Sequence, residues 1–159
     1  MSLVIQGSLI LTDVLNGHPQ DYQVRQLQED CESRYGLIAI AQPHMTILTS
    51  RDLKPLQKRS GMSNREFREW MKEMIPTFLP APDVVINASD VYSATEGEKA
   101  SCYLILSNYL SFLLWRAEIM LTLGVLGDDI DPSRFFHISI ANLTGNRVDS
   151  VANPRGEEE

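Results

Sequence analysis

Along this chain the spacing of apolar residues switches repeatedly between that of a strand and that of a helix, and proline or glycine punctuates the switches. That alternation restricts the fold to short elements packed in layers. Leu3 to Thr12 mixes β-branched and other apolar residues around Gly7 and predicts a strand or short hairpin, broken by Asn16, Gly17 and Pro19. From Asp21 onward Val24, Leu27, Cys31 and Tyr35 recur at helical spacing, with Gly36 as the stop. Leu37–Ala41 is an apolar run, and after Gln42 and Pro43 the segment His44 to Leu48 alternates as a strand does. Ser63-Asn64-Arg65-Glu66 matches a capping box, so a helix is expected there, with Phe67, Trp70, Met71 and Met74 as its buried stripe. Pro76 and Pro80-Ala81-Pro82 prevent its continuation. Asp83 to Tyr92 and Cys102 to Leu106 read as strands joined by a polar turn at Thr95 to Lys99. Asn108 to Leu123 is apolar on most sides, which predicts a helix packed between other elements. Arg134 to Leu143 is the last strand. The order β, α, β, α, β, β, α, β, without a long loop, predicts one α+β or mixed α/β domain over residues 1–144. Residues 145–159 form a polar tail ending in three glutamates and are expected to fray.

Composition agrees with a single globular domain: 159 residues, 43% hydrophobic and 22% charged. The longest apolar stretches, Leu37–Ala41 and Leu110–Trp115, fall far short of the ~20 residues that cross a bilayer, so no membrane partner is expected. The N-terminal MSLVIQGSLILTD has neither a basic region nor a small-residue cleavage site, and the expected location is the cytoplasm. Cys31 and Cys102 lack metal-ligand spacing and are read as free, buried thiols. The formal charge of −7 opposes the counterion displacement by which proteins grip long DNA or RNA, so any nucleic substrate should be small. Lys54, Lys58, Arg59, Arg65 and Arg68 make a basic stretch, read as a solvated loop and helix face. The oligomeric state is open at this level.

Two of the three histidines sit in one local pattern, His44-Met45-Thr46-Ile47 and His137-Ile138-Ser139-Ile140. In a strand, side chains two apart share a face, so each pattern sets an imidazole beside a hydroxyl while the apolar neighbours enter the core. Ser and Thr make up 21 of the 159 residues, so a given histidine has such a neighbour by chance with a probability of roughly 0.13. Two, flanked by apolar residues in separate strands, point to chemistry.

The pairing suits phosphodiester cleavage. A nucleophilic hydroxyl or water must lose a proton while the leaving oxygen gains one, and two imidazoles titrating near neutrality can perform these opposite tasks. Thr46 and Ser139 can donate to the phosphoryl oxygens as charge develops. The catalytic candidates are therefore His44, Thr46, His137 and Ser139. No third histidine or carboxylate lies at zinc-ligand spacing from either motif, so neither metal nor cofactor is expected. There is no G-x-S-x-G elbow.

With two H-x-[ST] strands roughly 90 residues apart, at His44-Met45-Thr46 and His137-Ile138-Ser139, the chain resembles the 2H phosphoesterase superfamily. The family includes RNA 2′,3′-cyclic phosphodiesterases, the so-called 2′-5′ RNA ligases, and viral and phage enzymes that destroy nucleotide second messengers. The resemblance implies a bilobal α+β fold, two pseudo-symmetric lobes each bringing one motif to a central cleft. It implies a metal-independent phosphodiesterase with a small nucleotide or cyclic oligonucleotide as substrate, of the viral or phage anti-defence type and then in the host cytoplasm. RNA-end processing and non-catalytic nucleotide capture are the alternatives. Ser139 stands where threonine is common, which keeps the hydroxyl, and the surroundings Phe135-Phe136 differ from the Pro-His of many cellular members.

Around the motifs, Tyr92, Tyr103, Trp115 and Phe136 are candidate walls for a nucleobase, with Tyr22 a further aromatic. Arg134, three residues before His137, is the first candidate for a phosphate contact and Arg116 the second. His18, in a turn, is read as exposed.

Overall fold

In a computed structural model, residues 1–94, 101–132 and 134–145 are described, residues 88–94 by their backbone alone. Seven strands and four helices occur among them: β1 (Ser2–Gln6), β2 (Ser8–Thr12), α1 (Asp21–Tyr35), β3 (Ile38–Ala39), β4 (Met45–Leu48), α2 (Ser50–Ser60), α3 (Asn64–Met74), β5 (Ile86–Ala94), β6 (Ser101–Leu106), α4 (Tyr109–Leu123) and β7 (His137–Asn142). The fold is α+β, with two antiparallel sheets. One has the order β1-β2-β4, the other β3-β7-β6-β5. The turn expected at Thr95 to Lys99 and the tail from 146 lie outside the described residues. Among the described residues no helix is long and apolar enough to cross a membrane.

The segment Leu3 to Thr12 resolves into a hairpin because Gly7 takes φ +76, which lets the chain reverse between Gln6 and Ser8. α1 ends where expected, at Gly36 in the left-handed region, its N–H donating to the Glu32 carbonyl. Its buried stripe is Val24, Gln28 and Cys31; Tyr35 lies outside at the surface. α3 begins on the expected box, the Ser63 hydroxyl accepting from the Glu66 N–H while the Glu66 carboxylate accepts from the Ser63 N–H. α2 is an element that the apolar pattern does not announce. Its cap is the same device, Thr49 with Asp52, but the helix carries Pro55 and a polar surface that hide it.

Leu9, Leu11, Met45, Ile47, Met71, Leu104, Phe112, Ile119, Ile138 and Ile140 form the centre of one continuous core. Cys31 and Cys102 are both buried and free, and adjacent enough to hydrogen-bond. Burial, then the neighbouring Cys102, pushes the Cys31 thiol up to about 12. His18 is a correction: it is half-buried and tied at both nitrogens, Nδ1 accepting from the Gln20 N–H (3.0 Å) and Nε2 donating to the Val84 carbonyl (2.9 Å). α4 is a second correction. Phe112, Trp115, Ile119 and Leu123 face the core, whereas Leu110, Leu114 and Leu121 are exposed, so the helix is covered on one side alone.

Candidate active site

Each histidine motif begins or immediately precedes a strand, and the two strands belong to different sheets. His44 precedes β4, in which Met45, Ile47 and Leu48 are fully buried and Thr46 is half-buried opposite Ile10 of β2. His137 opens β7, where Ile138 and Ile140 are fully buried while His137 and Ser139 are half-buried. The alternation expected of a strand with one chemically capable face is present in β7. In β6 it is matched: Cys102, Leu104 and Leu106 face the core, and Tyr103 and Ile105 pair across with Ser139 and His137.

β4 and β7 lie against each other. The segments carrying the motifs are tied on both sides of the histidines. Before His44, the Ile40 N–H donates to the Ile140 carbonyl (2.9 Å), and the Gln28 side-chain amide donates to the carbonyls of Ile40 and Ile140 (2.9 Å each). After His44, the buried Asp52 carboxylate accepts from the Arg134 guanidinium and from the Thr49 N–H (2.9 Å). His44 thus falls between Ile40 and Asp52, and His137 between Arg134 and Ile140, on segments running in opposite directions. His44 is the deeper of the two, 7% exposed.

The His137 Nδ1 lies 3.2 Å from the Phe135 carbonyl, which can only accept, so in this hydrogen bond Nδ1 is the donor. Tyr103 meets its ring at 5.4 Å in an edge-on arrangement, and Phe135 lies 5.5 Å from it. Tyr103 and Phe135 are themselves 5.9 Å apart.

The remaining candidates separate by location. Tyr103 stands beside His137. Phe136 points the other way, buried against Tyr109 and Phe112. Trp115 is in the core, its indole N–H donating to the Phe78 carbonyl (2.8 Å). Tyr22 is exposed on α1. Tyr92 pairs with Tyr103 across β5 and β6, and its side chain lies outside the description. Arg134 spends its charge on Asp52, a pair that fastens the entry of β7 to the start of α2. Arg116 sits with its guanidinium 4.8 Å from the Phe136 ring centre; burial, then the charge of Arg134, lowers its pKa from the usual arginine value. Sequence reading missed Phe135 and Gln28. Phe135 was available from the two-residue period, which places it on the face of His137. Gln28 carries no local signal, because its partners are 12 and 112 residues away.

Among the described residues no group of three or more His, Cys, Asp or Glu side chains is arranged to hold a metal ion. Comparison of the chain with protein-family models, with curated proteins and with solved structures returns no match.

Proposed function

We propose that this chain is a metal-independent phosphodiesterase acting on small nucleotides, cyclic oligonucleotide signals first among them. One observation carries the reading: β4, with His44 immediately before it and Thr46 within it, and β7, which carries His137 and Ser139, come from different sheets and lie against each other. In this reading the two sheets are the centres of two lobes, and the motifs meet where the lobes join. One imidazole takes the proton from a ribose 2′-hydroxyl, the other delivers a proton to the departing 5′-oxygen, and a 2′,3′-cyclic phosphate is the first product. Thr46 and Ser139 donate to the phosphoryl oxygens as they gain charge. Tyr103 and Phe135 offer aromatic surface for a nucleobase next to His137.

The test is turnover on a panel of cyclic dinucleotides and trinucleotides, 2′-5′ oligoadenylate and RNA ending in a cyclic phosphate, all in EDTA. Many product molecules per protein molecule are expected from at least one substrate. Activity lost to the chelator and restored by zinc or manganese would assign the site to a metallohydrolase. A second reading, capture without cleavage, is favoured by the depth of His44, which a substrate must reach for proton transfer. It predicts one nucleotide protected per protein and no product.

A further inference from the structure

Arg116 is half-buried on α4, its guanidinium 4.8 Å from the centre of the Phe136 ring, and among the described residues it makes no hydrogen bond and no ion pair. The charges that act on it are those of Arg134 and Asp52, which are paired with each other. Two cations thus stand around one carboxylate, and one positive charge is left partly out of water in a chain whose formal charge is −7. We propose that Arg116, with Arg134 beside it, is an oxyanion site that takes a phosphoryl group.

A guanidinium drawn from water loses hydration that a hydrogen-bonded partner must restore, and a second guanidinium nearby adds repulsion. Asp52 is not that partner. Its carboxylate is buried and already accepts from Arg134 and from the Thr49 N–H. The Phe136 ring offers the cation its face but no oxygen, so the planar fork of N–H donors keeps its capacity. The ring itself is held in place, with Tyr109 at 5.9 Å and Phe112 at 6.1 Å, and this fixes the surface on which the guanidinium rests. The Arg134 side chain is 23% exposed, so an ion arriving from solvent can reach both arginines. A phosphoryl group presents its oxygens in more than one direction, and two guanidinium forks can therefore share it. Phe136 and His137 point to opposite sides of the chain, so the site is separate from the imidazole and the inference is independent of the catalytic reading. A nucleotide linkage and a free phosphate ion both carry the required group.

The test is the melting temperature of the full chain in inorganic phosphate, methyl phosphate or dimethyl phosphate, each raised to about 20 mM with chloride holding the ionic strength constant. A saturable rise is expected, about 3–6 °C at ten times the dissociation constant. The general stabilisation by phosphate differs in kind: it grows without saturating and is common to all variants. Arg116→Gln should lose the saturable rise, and Arg25→Gln on α1 should keep it. In the 15N-labelled parent the Arg116 Nε–Hε signal, identified by its absence from Arg116→Lys, should shift over the same concentrations; this reading stands even if Arg116→Gln fails to fold. A response to dimethyl phosphate supports the site and names a nucleotide linkage as the source, whereas a response confined to the other two supports it and names a free ion or a terminal phosphate. No saturable rise with any of the three overturns the proposal. So does a rise that survives Arg116→Gln, or an Arg116 signal that stays in place while the melting temperature climbs.

Discussion

Phe135 and Phe136 are adjacent in sequence and opposite in consequence. Adjacency to the motif made Phe136 the candidate wall, but parity along the strand decides, and it sends Phe136 into the core and leaves Phe135 with Tyr103 beside the imidazole. Phe136→Ala should therefore cost about 3–5 kcal/mol of stability by removing a buried ring from between Phe112 and Tyr109. Phe135→Ala should change stability by under about 1 kcal/mol and raise KM if the ring supports a nucleobase. Urea melts and steady-state kinetics on the two variants separate these outcomes; equal destabilisation by both would contradict the assignment of faces. The two-residue period was legible and sufficient here. The depth of His44 was not, since the period says which residues share a face and is silent on what packs against it.

At the scale of elements, most of the helices and strands follow from local signals: the Ser63 box, the Gly36 stop and the Gly7 turn each act within a few residues. α2 escaped although its Thr49–Asp52 cap is as local a signal as the Ser63 box, because its polar surface leaves little apolar pattern to follow. The exposed face of α4 escaped because an apolar helix reads as buried all round unless its surroundings are known. Gln28 joins elements that no local rule connects. Gln28→Leu should destabilise the fold by about 1–3 kcal/mol, by removing two hydrogen bonds from buried carbonyls. It should also lower turnover, because the register of the two motif segments loosens; intact turnover at reduced stability would confine Gln28 to the fold. The turn after α4 offers a pH test. Asp129 is held below its usual 3.8, first by the Arg59 hydrogen bond and then by the Leu126 N–H. A folded-state pKa below the unfolded one means stability present above 3.8 and lost as the pH falls through the folded value. Asp129→Asn should accordingly lower the melting temperature at pH 7 more than at pH 2.5, and an equal loss at both would show that the ion pair contributes nothing.

Over the whole molecule, two antiparallel sheets meet along β4 and β7, and in the proposed function that meeting makes one site of two distant sequence patterns. The patterns themselves were legible; their approach depends on the Ile40–Ile140, Gln28 and Asp52–Arg134 ties, which are long-range and leave no trace in either motif. The net charge of −7 fits a site for a small ligand better than one for a long polyanion. In the proposed mechanism His44 and His137 exchange the protons of phosphodiester cleavage, and the pH–rate profile of the parent and of the His44→Ala and His137→Ala variants on one cleaved nucleotide tests this most directly. The parent should give a bell, since one imidazole must be neutral while the other is charged. Each folded variant should lose at least about a hundredfold in kcat together with one limb of the bell. Full turnover by either folded variant, or a bell unchanged in both, would contradict the account.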